Sequence, residues 1–147
     1  MTLLIGTSEG VWADRRVTGG DGVLFRPSRK VVRGEDIVAA FCGSDADCCR
    51  AMAAVRAGEA DPTALAAISD GVVVTDAGRY ELDSGVATRI PARIPLAMGG
   101  SGYAEAQAYL YGAGRYTDTH IRAAFRYVFR VRTDCGDGID CLVLRSR

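Results

Sequence analysis

Short runs of apolar residues, separated by polar or glycine-containing turns, predict β-strands in the first part of the chain. The predicted strands cover residues 3–7, 11–14, 29–32 and 37–41. The segment Ser8-Glu9-Gly10 is a turn signal between the first two strands, which therefore form a hairpin. Residues 33–36 supply the turn of a second pair, and a glycine-rich loop at residues 19–22 lies between the two pairs.

The pattern changes from strand-like to helical at Ser44. Cys48, Met52 and Val55 recur at helical spacing, Ser44 is a good N-cap, and acidic residues follow it in the first turn. A short second helix is expected at residues 61–67. Farther on, the pattern predicts strands at residues 71–75, 79–82 and 96–98, helices at 103–111 and from Thr117 or Thr119 to Phe129, and a last strand at 139–144. This order favours one layered α+β domain over residues 1–147.

Composition excludes several classes of protein. Hydrophobic residues make up 48% of the chain and the formal net charge is zero, which is typical of a globular protein and argues against nucleic acid as the main partner. No apolar run approaches the roughly 20 residues that span a bilayer, and no basic segment precedes the apolar N-terminus as in a signal peptide. The five cysteines lack CxxC spacing, which indicates reduced thiols. We therefore expect a cytoplasmic protein without a metal or cofactor.

Lysine usage is unusual. Of 18 basic residues, 17 are arginine, and the one lysine is Lys30. Arginine serves equally well wherever a solvated positive charge is sufficient, but it cannot act as a compact, tunable ammonium. Lys30 is therefore a candidate functional residue, although a surface lysine retained by chance would give the same count.

Five motifs in order along the chain resemble one family. They are the Thr2-led opening with Ala13-Asp14 and Thr18, then Lys30, the segment Gly43-Ser44-Asp45-Ala46-Asp47, the segment at residues 96–104 and the segment at residues 135–140. Each motif alone is weak, but all five occur in register. Together they resemble the proteasome β-subunits and the bacterial HslV-type peptidases, which are N-terminal-nucleophile hydrolases.

The resemblance implies a four-layer αββα sandwich of two antiparallel sheets flanked by helices, and a threonine peptidase mechanism. Removal of Met1 would expose Thr2, whose α-amine acts as the base and whose hydroxyl is the nucleophile. Lys30 would lower the pKa of that amine and stabilise the developing alkoxide, and Asp14 would orient Lys30. The backbone N–H of Gly43 would bind the oxyanion.

Further roles also follow from the resemblance. Thr18, Gly43 and Asp45 would bind an extended peptide substrate, and either Ser101 or Gly100 would stand where the family has a supporting serine. The resemblance also implies assembly into a ring or stacked rings of identical subunits, with an unfoldase ATPase as a further candidate partner. The expected function is cleavage of peptide bonds inside that oligomer.

The chain departs from the family in ways that leave alternatives open. The supporting acidic residue of many proteasome subunits would fall on Arg132, or on Asp134 with a shift, and Cys135 stands where the family usually has serine. The helix pair at residues 44–67 is short. A non-catalytic shell or scaffold protein that retains Met1 is the main alternative, and an amidase acting on a small molecule is another. The sole histidine, His120, is expected on a helix surface, which disfavours a Ser-His-Asp triad.

Overall fold

Two antiparallel sheets face each other and carry a helix pair on each outer side in the computed structural model, which describes residues 2–18 and 24–145. The strands are β1 (Leu3–Gly6), β2 (Gly10–Asp14), β3 (Arg16–Thr18), β4 (Leu24–Pro27), β5 (Val31–Arg33), β6 (Ile37–Cys42), β7 (Asp70–Thr75), β8 (Gly78–Asp83), β9 (Val86–Ile90), β10 (Ala97–Gly100) and β11 (Ile139–Val143). The helices are α1 (Asp45–Arg56), α2 (Pro62–Ala66), α3 (Tyr103–Ala113) and α4 (Asp118–Val131).

The strand order explains the layers. One sheet has the order β10-β1-β2-β11 and the other β5-β6-β7-β8-β9, while β3 and β4 form a separate ribbon. Side chains such as Leu4, Val38 and Val72 are buried between the two sheets. A second apolar cluster packs α3 and α4 against the first sheet, and a third packs α1 and α2 against the second. The expected four-layer αββα sandwich is confirmed.

Most of the predicted elements are present, with ends shifted by one or two residues, but three strands were not predicted. Strands β3 and β4 were missed because their short segments show little alternation. Strand β9 was missed because it is a short edge strand that is largely exposed, and Val86 is 61% exposed. The predicted glycine-rich loop at residues 19–22 lies outside the described residues.

The register places four functional candidates at one end of the stacked sheets. Strands β1 and β2 pair with Leu4 opposite Ala13, so that Thr2, just before β1, lies near Asp14 at the end of β2. Lys30 directly precedes β5, whose Val31 pairs with Ala40 of β6. Strand β6 ends next to Gly43, at the entrance to α1. In the described part of the chain, no helix has the length and apolar character needed to cross a membrane.

Candidate active site

Thr2, Asp14 and Lys30 form a buried, directly bonded cluster. Their exposed fractions are 5%, 0% and 6%. The Lys30 ammonium donates to the Thr2 hydroxyl oxygen, to Asp14 Oδ1 at 2.9 Å and to the backbone carbonyl of Arg16 at 2.6 Å. These contacts use all three N–H donors that an ammonium offers. The structure therefore brings these three sequence-predicted residues together.

Asp14 is held in place on both carboxylate oxygens. Its Oδ1 also accepts from the Leu3 N–H at 3.0 Å, and its Oδ2 accepts from the Gly136 N–H at 3.0 Å. Burial raises the pKa of the Asp14 carboxyl, while the Lys30 charge and the two N–H donors oppose that shift. The carboxylate thus orients Lys30 and also holds the backbone at Leu3, directly after Thr2, and at Gly136.

Gly43 and Asp45 line the same cleft as Thr2 and Lys30. Gly43 is exposed and has φ +111°, a left-handed conformation that favours glycine. The Ser44 hydroxyl follows as the N-cap of α1 and accepts from the Asp47 N–H at 3.1 Å. The start of a helix next to Thr2 brings backbone N–H groups and the positive end of the helix dipole to this cleft.

Thr18 lies on β3, two residues beyond the Arg16 carbonyl that binds Lys30. Strand β3 pairs with β4 through Thr18 and Leu24, with a register shift between Val17 and Thr18. Val17 lines the cleft beside Thr2. Sequence reasoning missed the Arg16 carbonyl as a partner of Lys30, because a main-chain contact leaves no signature in residue type.

Ser101 lies in a turn beside Thr2, but its side chain bonds to a different residue. The Ser101 hydroxyl donates to Asp134 Oδ2 at 2.9 Å. The backbone of Gly100, at φ +82°, lies against the Thr2 carbonyl, so that a side chain there would collide with it. The Gly102 N–H donates to the Thr2 carbonyl at 3.4 Å. The backbone of residues 100–102 therefore supports Thr2, while the Ser101 side chain bonds to Asp134.

The thiols near this site are poor nucleophiles. Cys42 lines the cleft and Cys135 is 1% exposed. Burial raises the pKa of each thiol to about 12, which leaves little thiolate at neutral pH. No group of three or more His, Cys, Asp or Glu side chains that could hold a metal ion occurs within residues 2–18 and 24–145. The Nδ1 atom of His120, in α4, lies 2.7 Å from the hydroxyl oxygen of Thr117.

Comparison with known proteins finds likeness at the level of structure. No protein-family model matches the chain, and no curated protein sequence matches it significantly. Eukaryotic HslV from Trypanosoma brucei superposes with a TM-score of 0.74 at 21% identity, covering 99% of both chains. Thiobacillus denitrificans BPH in complex with epoxomicin superposes with a TM-score of 0.71 at 16% identity, covering 99% of this chain and 100% of that one. The chain therefore has the fold of HslV over nearly its whole length.

Proposed function

We propose that this protein is a threonine peptidase of HslV-like architecture, with Thr2 as the nucleophile after removal of Met1. The observation that carries the proposal is the buried contact between the Lys30 ammonium and the Thr2 hydroxyl oxygen, with Asp14 behind Lys30. A buried cation in hydrogen-bond contact with a hydroxyl oxygen stabilises the alkoxide that the hydroxyl becomes during attack.

The reaction uses the chain's own groups in two steps. The Thr2 hydroxyl attacks the scissile carbonyl and transfers its proton to the Thr2 α-amine, through a water molecule. The C–N bond of the substrate then breaks, the leaving amine takes that proton, and an ester on Thr2 remains. A second water molecule, activated by the same amine, hydrolyses the ester. The positive charge of Lys30 keeps the α-amine neutral by like-charge repulsion, so that it can accept a proton.

The walls of the cleft supply substrate contacts in this proposal. The Gly43 N–H, at the entrance to α1, donates to the oxyanion, and Thr18 and Gly43 hold an extended peptide by main-chain pairing. Asp45 lies at the edge of the same cleft. The fold similarity to HslV and to a protein solved with epoxomicin supports a peptide substrate over a small amide.

We also infer that residues 1–147 act as one domain that assembles with identical copies into a ring or stacked rings in the cytoplasm. An unfoldase ATPase is a further partner in this proposal. Helix α1 has 12 residues and α2 has five, so the helical surface offered to such a partner is small.

Covalent labelling tests the proposed nucleophile. Protein from its native host, checked by intact mass for loss of Met1, is treated with a threonine-directed epoxyketone and with a fluorogenic peptide. We expect labelling of Thr2, and we expect Thr2→Ala to abolish labelling and to lower turnover by at least about a thousandfold, because it removes the nucleophile.

Thr7→Ala is the matched control. Thr7 follows the opposite end of β1 and is 6% exposed, and in the described part of the chain its hydroxyl accepts a local bond from the Glu9 N–H at 3.0 Å. We expect Thr7→Ala to retain labelling. A native protein that keeps Met1 and resists the epoxyketone would instead support the non-catalytic shell protein.

A further inference from the structure

Four bonded side chains connect the first turn of α3 and the C-terminal end of α4 to the turn beside Thr2. Arg132 Nη1 donates to Glu105 Oε1 at 3.0 Å, while Arg132 Nε and Nη2 donate to the two oxygens of Asp134 at 2.8 and 2.9 Å. The Ser101 hydroxyl binds Asp134 Oδ2 at 2.9 Å. We call this set, Glu105, Arg132, Asp134 and Ser101, the arginine clamp. Fork-like pairing of arginine with a carboxylate fixes geometry more tightly than a single bond.

The clamp joins two turns that each bind the candidate active site. The first, residues 100–102, carries Ser101 between Gly100 and Gly102, whose backbones contact the Thr2 carbonyl. The second, residues 132–138, carries Asp134 two residues before Gly136, whose N–H donates to Asp14 at 3.0 Å. The clamp thus bridges the backbone that supports Thr2 and the backbone that supports Asp14.

The second turn is also tied to the third partner of Lys30. Arg16 donates from Nε to Asp137 Oδ2 at 3.0 Å and also binds the Thr133 carbonyl. The carbonyl of the same Arg16 accepts from Lys30. A shift of the second turn would therefore move Asp14 and Arg16 together, and Lys30 is bonded to both.

We propose that Arg132 is a positioning residue for the Thr2 site, holding the two turns in register through Asp134 and Ser101. This inference rests on the proposed function for its catalytic readout. Among the described residues, the side-chain partners of Arg132 are Glu105 and Asp134, and Arg132 does not line the cleft beside Thr2. It acts through the distance between the two turns. Because errors of about 1 Å in the placement of reacting groups lower rates by about a hundredfold, a loosened clamp reduces turnover while leaving the fold intact.

The test compares Arg132→Ala and Ser101→Ala with Arg130→Ala as the matched control. Arg130 lies in the last turn of α4, and its one side-chain bond in the described structure is an exposed contact to the Arg126 carbonyl at 3.4 Å. We expect Arg132→Ala to lower kcat of peptide cleavage at least about tenfold with KM changed less than about twofold. Ser101→Ala should lower kcat in the same direction, and Arg130→Ala should match the wild type.

Amide hydrogen exchange supplies a readout that does not depend on activity. We expect the Gly102 and Gly136 amides to exchange at least about tenfold faster in Arg132→Ala, with the amides of β6 and β7 unchanged. A purely structural role would accelerate exchange throughout the chain. If Arg132→Ala does not fold, Ser101→Ala, which leaves the pair between Arg132 and Asp134 in place, gives the same comparison.

The outcomes separate this inference from the proposed function. If the wild type neither cleaves peptide nor reacts with the epoxyketone, the proposed function fails, and exchange at Gly102 and Gly136 still decides whether the clamp holds the turns. Unchanged exchange at both glycines, exchange that rises equally in β6 and β7, or an unchanged kcat in an active enzyme overturns the role of Arg132.

Discussion

Lys30 shows how one residue type can meet a requirement that its near equivalent cannot. Its nitrogen lies 2.9 Å from Asp14 Oδ1 and 2.6 Å from the Arg16 carbonyl, and it also contacts the Thr2 hydroxyl. These three acceptors surround a point charge. A planar guanidinium presents its donors in one plane and extends farther from the backbone, so it cannot reproduce the arrangement.

Replacement of Lys30 by arginine tests this requirement. We expect Lys30→Arg to keep the fold but to lower turnover at least about tenfold, which corresponds to roughly 1.4 kcal/mol of activation free energy. Steady-state kinetics with a fluorogenic peptide, together with a melting curve, measure both effects. Arg56→Lys, an exposed swap at the end of α1, is the control and should change neither quantity. Turnover equal to the wild type in Lys30→Arg would remove the assigned role.

At the scale of elements, the local sequence at the start of α1 determines the position of the proposed oxyanion donor. Strand β6 ends at Cys42, Gly43 turns the chain with φ +111°, and Ser44 caps the helix. The cap holds the first turn of α1 in place directly after Gly43. The proposed oxyanion donor is therefore placed by a capping interaction one residue away.

The cap is open to a direct measurement. We expect Ser44→Ala to lower the free energy of unfolding by about 1 kcal/mol, because the Asp47 N–H loses its acceptor. Ser44→Asp should retain most of the stability, since its carboxylate accepts the same bond and favours the helix N-terminus. Urea denaturation of the three proteins decides between these outcomes. Equal stability of Ser44→Ala and the wild type would show that the cap is dispensable.

The helices and buried strands were predictable from sequence because each carries a clear period. Helix α4 alternates buried Ile121, Phe125 and Val128 with charged positions, which gives a strong helical signal. Strand β9 gives a weaker signal, since it is a short, mostly exposed edge strand. It pairs with β8 through a turn at Ser84 and Gly85, both with positive φ. The Ser84-Gly85 pair in the sequence is itself a turn signal and could have indicated this turn.

The candidate site was only partly predictable. Thr2, Asp14 and Lys30 could be grouped because Lys30 is the chain's one lysine and because Thr2 and Asp14 stand in family-like motifs. The arginine clamp could not, because it depends on how residues 132–138 fold. That turn places Asp134 against Ser101 and directs Arg132 toward Glu105, and Asp137 has φ +63°. Backbone conformations of this kind leave weak traces in sequence.

At the scale of the whole molecule, both apolar packing and polar bonds between side chains hold the layers together. Apolar clusters fill the spaces between sheets and helices, and polar bonds cross between elements at their edges. The indole N–H of Trp12 on β2 donates to Asp118 of α4 at 2.8 Å. Asp134 similarly links α4 to the turn before α3, since Arg132 and Ser101 both donate to it.

The pH dependence of stability tests the link that Asp134 makes between α4 and the turn before α3. Hydrogen bonds from Arg132 hold the pKa of Asp134 well below its ordinary value. A carboxyl with a depressed folded-state pKa stabilises the fold at neutral pH; that contribution declines once pH falls below the ordinary aspartate pKa, and it is lost as pH falls through the depressed folded-state pKa. We expect Asp134→Asn to be less stable than the wild type by at least about 1 kcal/mol at pH 6, with the difference shrinking below about pH 4. Urea denaturation at pH 6, 4 and 2.5 measures the difference, and one that is constant with pH would contradict this assignment.

The burial of Lys30 also has a consequence for the chemical reactivity of the molecule. Since it is the chain's one lysine and is 6% exposed, the folded protein offers guanidinium groups to solvent but almost no side-chain amine. Apart from Lys30, the α-amine is the one amine in the sequence with which amine-directed cross-linkers can react. A covalent tag introduced in this way marks one end of the chain, and its mass on the first peptide identifies the residue that bears the free amine.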